Sequence, residues 1–157
     1  MLIRNGLILI MSFILLMGVN SCKKEEEEGP SQQEIDQQII EDYIEAEGLD
    51  ALNTESGLHY VIHNEGDDNH PTVASYIEAV YKGYYPDGVV FDDGSQLMSE
   101  FLYKLILGWQ EGLPLIGEGG EIQLIIPSHL AYGVIEIDTA TSYSVIIFDV
   151  ELLQVYD

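Results

Sequence analysis

The chain has 157 residues, 46% of them hydrophobic and 10% aromatic, which is material for one ordinary core and hardly for two. Its formal charge is -23, from 28 acidic and 5 basic residues, so it repels phosphate backbones and offers no basic patch; nucleic acid is not expected as a partner. A single cysteine excludes an intrachain disulfide.

Residues 1–21 have the layout of a secretory signal: one early cation, Arg4, then an apolar run from Leu7 to Val19 that is short for a membrane span, then small residues. The segment ends on Val19-Asn20-Ser21-Cys22, which resembles the lipobox of bacterial lipoproteins and implies lipidation at Cys22, a membrane anchor that would explain the lone thiol. Residues 22–30 follow as an acidic tether: Lys23-Lys24-Glu25-Glu26-Glu27-Glu28 holds no apolar side chain to bury. A lysine and acids just after such a cysteine also resemble the signal that sends some Gram-negative lipoproteins to the cell surface. The implied location is the outer membrane or cell surface, facing the periplasm or the exterior.

Over residues 31–52, Ile35, Ile39, Ile40, Tyr43 and Ile44 recur at helical spacing and predict one amphipathic helix, capped near Ser31 and ended by Gly48. Its apolar stripe has two candidate partners, the following domain or a second copy in a homodimer. From residue 53 the period changes to two. Leu58, Tyr60 and Ile62 share one face, as do Ile77, Ala79 and Tyr81; Ile122, Leu124 and Ile126; and Ile146, Phe148, Val150 and Leu152. These stretches predict four antiparallel strands with one wet face. Between the second and third, Gly108 to Leu113 predicts a short helix stopped by Pro114. The fold class is α+β: a twisted antiparallel sheet around one short helix, over residues 53–157, behind the amphipathic helix.

Four blocks in order then resemble one family. Val80-Tyr81-Lys82-Gly83 leads through a turn to Val90-Phe91-Asp92. Next comes Leu105-Ile106-Leu107-Gly108-Trp109-Gln110-Glu111-Gly112. Ile126-Pro127-Ser128-His129-Leu130-Ala131-Tyr132-Gly133 is the third, and Phe148-Asp149-Val150-Glu151-Leu152-Leu153 the fourth. Together they resemble the FKBP-type peptidyl-prolyl cis-trans isomerases, and the helix leading into Glu55 to Tyr60 is similar to lipoprotein members of that family, including motility-associated ones. The resemblance implies a hollow lined by Tyr81, Phe91, Leu105, Ile106, Trp109 and Phe148, with the indole as its floor. It implies that the Ile106 N–H and the Tyr132 hydroxyl hold substrate carbonyls and that Asp92 polarises the edge. Proline-containing polypeptides are the implied substrates, and no cofactor or metal is required; a non-catalytic peptide-binding module on the same groove is the alternative.

Two departures from the family pattern stand out. Ala140-Thr141-Ser142 replaces the usual Ile-Pro-Pro in the loop spanning Val134 to Tyr143, and the Phe-x-Phe strand before Leu105 is missing, with Met98, Glu100 and Phe101 in its place. The histidines form no metal set: His59 and His63, four apart on a strand, lie roughly 13 Å from each other, and His70 and His129 read as surface side chains.

Overall fold

Ser31 opens the first helix as its N-cap. Its hydroxyl accepts from the Glu34 N–H while the Glu34 carboxylate accepts from the Ser31 N–H at 2.7 Å, a reciprocal pair that satisfies two donors left over at a helix start. The helix, α1, runs Gln32–Glu47 and ends where Gly48 turns left-handed (φ 64). It stops short of residue 52, because Leu52 already belongs to a strand. The computed structural model describes residues 29–94, 96–133 and 143–156. The signal segment, Cys22, the tether as far as Glu28 and the Ala140-Thr141-Ser142 stretch therefore lie outside the described residues.

The sheet has seven strands where alternation alone predicts four: β1 (Leu52–Asn53), β2 (His59–Asn64), β3 (Tyr76–Tyr84), β4 (Val90–Asp92), β5 (Met98–Phe101), β6 (Glu121–Ile126) and β7 (Ile146–Tyr156). All pairings are antiparallel, in the order β1-β2-β6-β7-β3-β4, with β5 also on β3. The three additional strands are two to four residues long, too short to show a period. One of them, β5, occupies the place of the missing Phe-x-Phe strand: Met98-Ser99-Glu100-Phe101 pairs with Ala79 to Tyr76 although it carries only two large apolar side chains.

One face of the sheet packs on the short helix α2 (Leu107–Gly112), which a single 3-10 turn, Leu113–Leu115, ends at Pro114. Leu58, Ile77, Ala79, Ile122, Leu124, Ile126, Ile146, Phe148, Val150 and Leu152 join Trp109 and Leu113 in this core, in agreement with the predicted inward faces. A bulge of β7 against Glu78 and Ala79 shifts the phase beyond Leu152, so Val155 is buried rather than Gln154.

The opposite face is not wholly wet. α1 lies against it, and Ile40 seals a second cluster with Ile125, Val145 and Ile147, flanked by Tyr43, Ile44, Leu49 and Tyr84. This corrects both the single wet face and the helical stripe. The inward side of α1 centres on Asp36 and Ile40, at 1% and 0% exposure, whereas Ile35 and Ile39 point outward at 39% and 37%. The helix thus partners its own domain. His59 is buried, with Nδ1 3.1 Å from the Gly57 carbonyl.

Candidate active site

Two glycines one helical turn apart place the indole. A Cβ on Gly108 would stand 2.6 Å from the Ile126 side chain, and one on Gly112 would strike Leu124. Their absence lets α2 settle directly on β6, and Trp109 then projects into the concave side of the sheet, 3% exposed. Its ring meets Tyr81 (centroids 5.2 Å, 87°) and Phe148 (5.3 Å, 88°) edge to face, the arrangement favoured by aromatic quadrupoles.

Above these rings opens a hollow of about 200 Å³ lined by Tyr81, Asp92, Met98, Lys104, Leu105, Ile106, Trp109, Tyr132 and Phe148. Seven of the eight candidate residues named from the resemblance therefore stand around one space. Phe91 is set back from it: its ring abuts Phe148 (5.6 Å, 88°) and Tyr85 (5.1 Å), so it supports the wall rather than forming it. Met98 and Lys104 complete the lining without belonging to any motif block. Lys104 pairs at 2.8 Å with Glu100, an exposed surface contact of little energetic weight. Gln110, inside the second block, has a role that the motif does not show. Its side-chain amide donates to the Leu105 carbonyl (2.7 Å) and the Tyr103 carbonyl (3.2 Å), tying α2 to the segment that presents Leu105 and Ile106.

The polar groups are few and oriented. The Tyr81 hydroxyl donates to Asp92 at 2.6 Å, and the other Asp92 oxygen accepts from the Gly94 N–H at 3.1 Å. Gly94 is left-handed (φ 61) and a side chain there would strike the Tyr81 carbonyl, so only glycine allows this clamp. The carboxylate is thereby held at the rim. Ile106 is the N-cap of α2 with extended backbone, which leaves its N–H outside the helix's own bonds and next to the hollow. The Tyr132 hydroxyl makes no hydrogen bond among the described residues. Two donor-bearing residues thus border the hollow.

Burial raises the Tyr81 hydroxyl pKa well above its ordinary value of 10.0, and the hydrogen bond to Asp92 raises it further. Burial likewise raises Tyr132, with the Asp92 charge adding to it. Both phenols therefore stay protonated in the folded chain at a pH where an unfolded chain has begun to lose its protons. The stability they contribute is fully present below pH 10 and is lost as pH rises beyond it. Urea midpoints measured between about pH 8 and 11 should fall steeply for the wild type and less steeply for Tyr81→Phe; parallel curves would remove Tyr81 from the account.

A twisted antiparallel sheet thus closes on a short helix around an indole-floored hollow bordered by Ile106 and Tyr132. The chain belongs to the FKBP-type peptidyl-prolyl cis-trans isomerase family, which matches residues 67–153, more than half of it. FkpA of Escherichia coli is 36% identical over 118 residues, 73% of this chain and 43% of that protein, and FkpA of Buchnera aphidicola from Acyrthosiphon pisum is 40% identical over 105 residues, 65% and 44%. The crystal structure of Escherichia coli FkpA superposes with a TM-score of 0.70 at 32% identity, over 76% of this chain and 58% of that one. A Pseudomonas syringae isomerase shares the fold at a TM-score of 0.68 and 24% identity, covering 83% of this chain. The chain spans less than half the length of these two FkpA sequences.

Proposed function

We propose that the chain accelerates cis/trans exchange at X-Pro bonds of exported polypeptides and is carried on a lipid-anchored lipoprotein. The barrier to be lowered is about 18–20 kcal/mol, set by the resonance of the planar amide. Exchange requires no nucleophile or metal, only a site that binds the twisted amide better than the planar one. The observation that carries this reading is the hollow itself, a space of about 200 Å³ floored by Trp109 and walled by Tyr81, Ile106 and Phe148.

A pyrrolidine ring held there takes the prolyl nitrogen out of water. The twisted amide has lost conjugation and is less dipolar than the planar one, so a dry apolar lining disfavours it less than the ground state. On this reading the Ile106 N–H and the Tyr132 hydroxyl hold the carbonyls on either side of the ring while the bond between them turns. Asp92, fixed by Tyr81, adds a negative charge at the edge where the chain leaves the hollow.

The anchor rests on the Val19 to Cys22 sequence and the tether behind it. Among the described residues no helix is long and apolar enough to cross a membrane. A protease-coupled assay on a proline tetrapeptide, with the purified protein carrying Cys22→Ser, tests the activity. Turnover above buffer is expected; a folded protein that binds proline peptide without accelerating exchange would reduce it to a peptide-binding module.

A further inference from the structure

A carboxylate from outside the hollow sits at the root of the turn that carries Tyr132. Asp36, on α1, is 1% exposed, and its Oδ2 accepts from both the N–H (2.8 Å) and the hydroxyl (2.6 Å) of Ser128. Its Oδ1 accepts from the Gln32 amide at 2.7 Å. Such charge-assisted bonds are roughly twice as strong as neutral ones, and a buried charge persists only where its oxygens are satisfied in this way.

Ser128 is in turn the hub of the Tyr132 turn. Its carbonyl accepts from the N–H groups of Ala131 (3.1 Å) and Gly133 (2.9 Å), the residues on either side of Tyr132. All three of its polar groups are thus engaged, two by Asp36 and one by the neighbours of the tyrosine. The same helix reaches the far side as well. The Gln32 amide lies 3.4 Å from the Tyr143 carbonyl, and the Tyr143 N–H donates to the Gly133 carbonyl at 2.6 Å. Four hydrogen bonds at Ser128 thus link α1 to the backbone on either side of Tyr132.

We infer that Asp36 is a positioning residue for the isomerase site: through Ser128 it fixes the Ser128–Gly133 turn and so aims the Tyr132 hydroxyl, making the N-terminal helix a working part of the catalytic domain. This rests on the isomerase reading only for its kinetic consequence; the mechanical link stands apart from it. An uncharged hydrophobic isostere at residue 36 would keep the helix docked through Ile40 but leave the Ser128 N–H and hydroxyl without their acceptor.

The test compares wild type, Asp36→Ala, Asp36→Asn, Tyr132→Phe and the Asp36→Ala/Tyr132→Phe double variant, each in the full chain carrying Cys22→Ser. Amide hydrogen exchange is read first. Asp36→Ala should speed exchange at Ala131 and Gly133 by about tenfold or more, with the amides of β6 and β7 unchanged. Unaltered exchange at those two positions overturns the link whether or not the protein has activity, as does a uniform rise across the sheet, which is the signature of general destabilisation.

Proline-peptide turnover is read second. A kcat loss on the order of tenfold is expected for Asp36→Ala, the scale of a small misplacement of a positioned group, with Asp36→Asn retaining most of the rate because its carbonyl still accepts from Ser128. In the Tyr132→Phe background the same alanine substitution should cost little, since the hydroxyl it aims is already gone. An equal kcat loss in both backgrounds overturns the inference. No turnover by wild type overturns the isomerase reading instead, and leaves the exchange result to decide the link.

Discussion

Trp109→Ala should give the largest single loss in the molecule: a destabilisation of about 3–5 kcal/mol, the usual range for truncating a buried tryptophan, together with a fall in kcat/KM of about a hundredfold or more, equivalent to roughly 2.7 kcal/mol of transition-state binding. Both follow from one position. The indole is 3% exposed and touches Tyr81 and Phe148 edge to face, so its removal opens the core and the hollow at the same time. Urea unfolding and proline-peptide turnover on the same preparation separate the two effects. Trp109→Phe keeps a ring on the floor and should recover part of each. Turnover that survives Trp109→Ala in a folded protein would mean that proline binds elsewhere.

Gly83→Ala should destabilise by about 1–3 kcal/mol, although alanine is ordinarily the better residue in a strand. Gly83 faces Phe148 across β3 and β7 and Asp92 across β4. A Cβ there would lie 2.7 Å from the Phe91 ring and 2.8 Å from the Phe148 ring. Neither ring can yield freely, because Phe148 is locked against Trp109, Tyr81 and Phe91 at centroid distances of 5.3, 5.7 and 5.6 Å. The added methyl therefore pushes the wall of the hollow inward, and activity should fall roughly tenfold, as for other small displacements of a binding surface. A thermal melt showing Gly83→Ala equal to or more stable than wild type would contradict this packing.

The inward faces of β2, β3, β6 and β7 were legible because an amphipathic strand repeats at period two, and Ile122, Leu124, Ile126 or Ile146, Phe148, Val150 are long enough runs to show it. The hollow was legible through ordered blocks around Trp109 and Tyr132. What stayed hidden has identifiable causes. Asp36 reads as a solvent residue until Ser128, 92 positions away, supplies its partners, and that contact rotates α1 away from the stripe of Ile35 and Ile39. Ile125 and Ile147 alternate to the side expected to be wet, and only the docking of Ile40 buries them. Met98 and Lys104 line the hollow from a segment whose strand is four residues long and polar in the middle.

The margins of the sheet carry a further consequence. At one side stands β1, two residues long, and at the other β4 and β5, of three and four residues, separated by the excursion that begins after Asp92 and ends at Met98. Among the described residues β1 covers only His59 and Tyr60 of β2, and β4 and β5 are comparably brief, so each border presents only a few backbone groups to a foreign β-segment. On the isomerase reading proposed above, short borders of this kind would help such a protein to release incompletely folded clients instead of co-aggregating with them.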